Sequence, residues 1–145
     1  MSKFLSIDPG KNKCGLIIAD LVEKKVCKAE VIQSNMLLDS VRKIKANESK
    51  IKVIIGNGTT SKFYIDKLRL LAEELIIAEE KNTTLRAKQR YFDLFPLEGV
   101  KKFLPREIFL SNINLDAIAA LVILEDFCQF KLILGKDVES KTWKK

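Results

Sequence analysis

Near its start the chain alternates short apolar runs with one tight polar turn, FLSID, PGKNK, CGLIIAD. Lys3–Asp8 predicts a short buried strand, Cys14–Asp20 a second and Lys25–Ile32 a third. The short connections between them suit an antiparallel meander. The link from Asp20 to Lys25 contains no glycine, so its turn type stays open. Met36–Asn47 has apolar residues at 37, 38, 41 and 44, which is helical spacing. KIKVIIG, Lys50–Gly56, is a β-branched run ending in glycine and predicts a buried strand. Ser61 is placed to cap a helix reaching about Glu74, with Ile65, Leu68, Leu71 and Ala72 on one face. LIIAE, Leu75–Glu79, predicts another short strand. Asn82 or Thr83 then opens a helix to about Phe95, with Ala87, Tyr91, Leu94 and Phe95 inward. Pro96–Ser111 has two prolines and a glycine and predicts a loop. Asn114 to about Phe130 is almost wholly apolar and too long for a strand, so it predicts a helix buried on most sides.

The order strand, strand, strand, helix, strand, helix, strand, helix, helix implies an α/β fold. Its sheet is mixed and five-stranded, a three-strand antiparallel meander plus two parallel strands, with helices on both faces. The fourth strand is expected beside the first. Residues 1–135 are expected to form one domain. Residues 136–145 read as a polar tail that frays, with Trp143 either folded back on the body or exposed.

The 145-residue length suits one domain with a real core, and 47% hydrophobic content argues against disorder. No apolar run approaches the roughly 20 residues that span a bilayer. The start, MSKFLSID, is too short in apolar residues for a secretory signal, so a cytoplasmic protein with no membrane partner is expected. The three cysteines, Cys14, Cys27 and Cys128, form no CxxC pair and read as reduced thiols. Histidine is absent, which removes Ser-His and Cys-His nucleophiles and His-based zinc sites. Net charge is +7, and Lys81–Arg106 holds seven basic residues against Asp93 and Glu98, a local +5. Such a stretch suits a polyanion, or else a solvated lysine-rich surface.

In sheets of this kind, sites form at the carboxyl ends of the strands near the switch in strand order. Asp8 ends the first strand, Glu79 and Glu80 end the last, and Asp116 lies in the first turn of the apolar helix. Each has a plain reading. Asp8 precedes Pro9-Gly10 as a turn former, Glu79-Glu80 is a solvated strand end, and Asp116 suits a helix N-terminus. Together they would repel one another unless a hard cation such as Mg2+ or Mn2+ joins them. Two such ions are the arrangement used in phosphodiester hydrolysis, which needs no histidine. Gly10 and Gly15 flank the Lys11-Asn12-Lys13 turn, where backbone and lysines suit a phosphate. Gly56–Thr60 borders the same cleft with small side chains.

DPGKNKCGLIIAD resembles the first motif of the RuvC-like, YqgF-type nucleases, which comprise Holliday junction resolvases and pre-16S ribosomal RNA processing nucleases. EEKNTT, Glu79–Thr84, resembles that family's Asp-Glu-Arg-x-Thr-Thr motif, and LDAIAALVILEDF its closing aspartate- and alanine-rich helix. The resemblance implies a ribonuclease H-like fold and makes Asp8, Glu80 and Asp116 catalytic acids. The metal set would be Asp8, Glu79, Glu80 and Asp116, holding Mg2+ or Mn2+, two ions in all. Lys11, Lys13, Lys81, Thr83, Thr84, Arg86 and Arg90 would contact nucleic acid. Arg86 and Arg90, one helical turn apart, would face one phosphate backbone. The chain departs from the pattern at Glu79, where the family has Asp, at Lys81, where it has Arg, and in GNGTTSK after the middle strand. PLEGVKKFLPREIF is an insertion.

The leading expectation is a metal-dependent nuclease acting on branched DNA or a ribosomal RNA precursor. A nucleic-acid-binding protein on the same fold that does not cut is the alternative. A nucleotide-hydrolysing module ranks last, because such modules close a second domain over the nucleotide. A homodimer would suit two-fold symmetric junctions, though nothing in the sequence demands it.

Overall fold

A computed structural model describes residues 2–110, 113–138 and 143. Six strands form one sheet in the order β5-β4-β1-β2-β3-β6. β1 (Lys3–Asp8), β2 (Lys13–Asp20) and β3 (Lys25–Gln33) are the expected meander. In the glycine-free turn between β2 and β3, the Asp20 carboxylate accepts the Val22 and Glu23 N–H groups, and Lys24 takes a left-handed conformation at φ 53°. β4 (Lys52–Gly56) lies parallel to β1, and β5 (Leu75–Ala78) parallel to β4. α1 (Leu37–Asn47) and α2 (Ser61–Leu71) lead into these two strands. Ser61 does not cap α2: it is the first helical residue, and its hydroxyl donates to the Gly58 carbonyl at 2.6 Å.

The sixth strand, β6 (Ile133–Leu134), was not expected from the sequence. Two residues are too few to show a period. It is held parallel to β3 by the Ile133 N–H on Lys24 O at 3.0 Å and the Gly135 N–H on Val26 O at 2.9 Å.

The sheet separates two apolar layers. Leu5, Ile7, Val53 and Ile55 face Leu37, Val41, Tyr64 and Leu68 from α1 and α2. Phe4, Ile17 and Ile54 face α3 (Thr83–Leu94) and α5 (Asp116–Cys128). Residues Ala117 to Glu125 of α5 are all buried, which explains the composition of that helix. The expected loop before α5 contains a 3-10 turn, Gly99–Phe103, and a short helix, α4 (Glu107–Leu110). Trp143 folds back: it is 1% exposed, packs on Phe95, and its carbonyl accepts the Asn114 N–H at 2.9 Å. Among the described residues, no helix is long and apolar enough to cross a membrane.

Candidate active site

Strand alternation decides where Asp8 points. Leu5 and Ile7 face the α1/α2 layer, so Phe4, Ser6 and Asp8 face α5. Ser6, buried in mid-strand, confirms the side by donating its hydroxyl to the Ala120 carbonyl of α5 at 2.7 Å. Asp8 pairs in register with Gly15 of β2. A Cβ on Gly15 would stand 1.9 Å from the Asp116 carbonyl oxygen, so only glycine lets the first turn of α5 rest on the strand. That contact brings Asp116 to the end of β1, on the face that carries Asp8.

Glu80 arrives from the other side. Ile76 and Ala78 pack into the α3/α5 layer, and Glu80 continues their phase. Asn57 anchors it: its N–H donates to Ala78 O at 2.9 Å, and its side-chain oxygen accepts the Glu80 N–H at 3.1 Å. The Glu80 carboxylate lies over Gly56 and Gly58, whose added Cβ atoms would meet it at 1.9 and 2.5 Å. The small residues after β4 thus make room for Glu80. Asn57 was not singled out in the sequence, although its place between two glycines at a strand end was a signal. Glu79 takes the opposite phase. It is exposed, 3.5 Å from Lys81, and does not join the other acids.

Burial, a hydrogen bond with Glu80 and the charges of Glu80 and Asp116 push the Asp8 pKa up from 3.8 to about 8. Glu80 Oε1 is buried and receives no N–H or O–H. The two facts agree if Asp8 keeps its proton, because its acid form supplies the missing donor.

The donors are all carboxyl oxygens, which suits a hard divalent cation. The buried Glu80 oxygen beside Asp8 is what such an ion would satisfy in place of the Asp8 proton. As they stand, no three Asp, Glu, Cys or His groups among the described residues converge tightly enough to hold one ion. The residues fit a metal by donor type and adjacency, with Asp8 and Glu80 as the touching pair.

The basic residues divide. Lys11 and Lys13 are exposed and line a hollow of about 360 Å³ with Asn12, Gln33, Ser34 and Asn35. Thr83 and Thr84 line another, of about 470 Å³, with Glu80 and Lys88. Arg86 and Arg90 do not face a phosphate backbone together. Arg86 is paired with Asp126. Arg90 is buried, with Nε 2.9 Å from Glu125 Oε1 and Nη2 on Glu125 Oε2 and the Leu132 carbonyl at 3.0 and 2.9 Å. Their i, i+4 spacing does give them a common direction, but α5 lies there and supplies both acids.

RuvC of T. thermophilus, solved in complex with a Holliday junction substrate, superposes with a TM-score of 0.50. The match covers 91% of this chain and 99% of that one, at 11% identity. The fold is ribonuclease H-like. At that identity the likeness concerns the fold alone. No protein-family model matches the chain, and no curated protein matches it.

Proposed function

We propose that this ribonuclease H-like protein is a nuclease of YqgF type that hydrolyses phosphodiester bonds in structured nucleic acid, branched DNA or a ribosomal RNA precursor. Asp8, Glu80 and Asp116 would hold Mg2+ or Mn2+. The observation that carries the reading is the pairing of Asp8 with Glu80, within the field of Asp116, at the switch point of the sheet. A buried Asp8 whose charge is opposed by Glu80 and Asp116 destabilises the fold when ionised unless something positive binds there. When bound, a divalent cation would supply Lewis-acid stabilisation of the charge that develops at the phosphate. The chain's own residues do the positioning. Asn57, Gly56 and Gly58 seat Glu80, and Ser6 and Gly15 seat α5 so that Asp116 reaches the strand end. Thr83 and Thr84, which line a hollow with Glu80, Lys11 and Lys13 on the turn that follows Asp8, and the exposed Lys81 would contact the nucleic-acid backbone.

The test is cleavage of a four-way DNA junction and a ribosomal RNA precursor with Mg2+ or Mn2+. Asp8→Asn and Asp116→Asn should each lose about 100-fold or more, the scale seen when a charge-stabilising group is removed. Equal cleavage by wild type and Asp8→Asn would overturn the reading. The departure from the family pattern in GNGTTSK after the middle strand favours a second reading, a nucleic-acid-binding protein on the same fold that does not cut. No Mn2+ binding by calorimetry at neutral pH, alongside tight binding of DNA or RNA, would select it.

A further inference from the structure

Between α3 and α5 the chain leaves the body. Residues 98–108 are all exposed, and neither the 3-10 turn nor α4 buries a side chain. Yet this arm carries Val100 at 80% and Phe103 at 82% exposure, with Leu104 and Ile108 also open to solvent. Its sequence from Val100 to Arg106, VKKFLPR, has three cations and no acid. One root is fixed to α3, where the Arg106 guanidinium lies 5.0 Å from the centre of the Phe92 ring. The other root returns at the buried Ile113 and continues into α5, whose first residue is Asp116. The described chain thus resumes three residues before Asp116 in sequence. Lys102 Nζ lies 5.8 Å from the Phe103 ring centre, so cation and aromatic face are presented together.

The chemistry of the arm discriminates between partners. Interfaces between proteins are depleted in lysine. An exposed aromatic ring among lysines is instead what single-stranded nucleic acid binds, the ring stacking on a base and the ammonium groups meeting phosphates.

We propose that the Val100–Arg106 arm is a nucleic-acid contact, with Lys101 and Lys102 on the phosphate backbone and Phe103 stacked on an unpaired base. It gives the protein a preference for substrates with unstacked nucleotides. The proposal rests on the nuclease reading for its substrate class, and its test separates the two.

Full-length protein would be titrated, in chelator, against labelled single-stranded DNA, a four-way junction and a blunt duplex, with binding read by fluorescence anisotropy. Phe103→Ala should weaken single-strand and junction binding by about 5- to 150-fold, the range equivalent to one lost base stack, and duplex binding far less. Lys101→Ala with Lys102→Ala should weaken all three and flatten the dependence of log Kd on log salt by about 1.4 to 1.8. Both variants should melt like wild type, since the arm buries nothing. Wild-type binding by both variants, or equal loss on all three probes for Phe103→Ala, overturns the proposal. So does a wild-type dimer by sedimentation that Phe103→Ala makes monomeric, because a second copy would then cover the arm. If Asp8→Asn abolishes cleavage while the arm variants bind and cleave normally, only the arm proposal fails. If the arm variants lose binding but wild type cuts nothing, only the nuclease reading fails.

Discussion

An aspartate at the end of a buried strand, touching a second carboxyl group, holds its proton longer than one in water. For Asp8 the folded pKa is about 8 against an ordinary 3.8. Between those values the folded state binds more protons than the unfolded state, so stability falls as pH rises through the window. In chelator, wild-type Tm should therefore fall relative to Asp8→Asn from about pH 4 to pH 8, then run parallel to it. Adding Mn2+ at pH 8 should raise wild-type Tm more than that of Asp8→Asn. Two glycines should behave differently for a stated reason. Gly15→Ala meets the Asp116 backbone and has to move a helix, so its melting temperature should drop by several degrees. Gly56→Ala meets the Glu80 side chain from its carboxylate back to Cγ, so that side chain has to turn away but no backbone is met. It should keep its Tm and lose Mn2+ affinity by calorimetry.

α3 and α5 are joined by two ion pairs of unequal burial. The Arg90–Glu125 pair is almost inaccessible, whereas Arg86 and Asp126 keep about 40% of their side-chain surface, at 39% and 41%. Glu125→Ala leaves a buried arginine with its carboxylate gone and should cost about 3–5 kcal/mol in urea denaturation. Asp126→Ala should cost about 1 kcal/mol or less. Trp143 packs on Phe95 at the end of α3 and holds the segment before α5 through the Asn114 N–H. It is the only tryptophan, so its emission reports on that contact directly. Native emission should be blue-shifted, and Trp143→Ala should lose about 3–5 kcal/mol. Trp143→Phe should recover a large part of that loss.

At the scale of the whole molecule, β1 lies between an antiparallel neighbour and a parallel one. Its carboxyl end is the point at which strand order switches, and Asp8 stands there. The net charge of +7 is spread over fewer free cations than composition implies, because Arg86 and Arg90 are held by acids of α5. Lys11, Lys13, Lys88, Lys101 and Lys102 should therefore carry the salt dependence of nucleic-acid binding. Charge removal at Arg90 should change stability, read by denaturation, before it changes the salt slope.

Apolar spacing along the chain was enough for the meander, the β1–β4 pairing, the buried final helix and the placing of three acids at strand and helix ends. The meander, the helix and the placing of the acids depend on period and on neighbours close in sequence, which a pattern records, and the β1–β4 pairing follows from the order of elements through a crossover. Tertiary packing alone decided the rest. Glu80, not Glu79, meets Asp8 because Asn57 and two glycines seat it there. Arg86 and Arg90 turn inward because the facing residues of α5 are Asp126 and Glu125. β6 and the burial of Trp143 depend on backbone groups more than 25 residues away. A period gives the direction in which a side chain leaves its element, but not what waits on the other side.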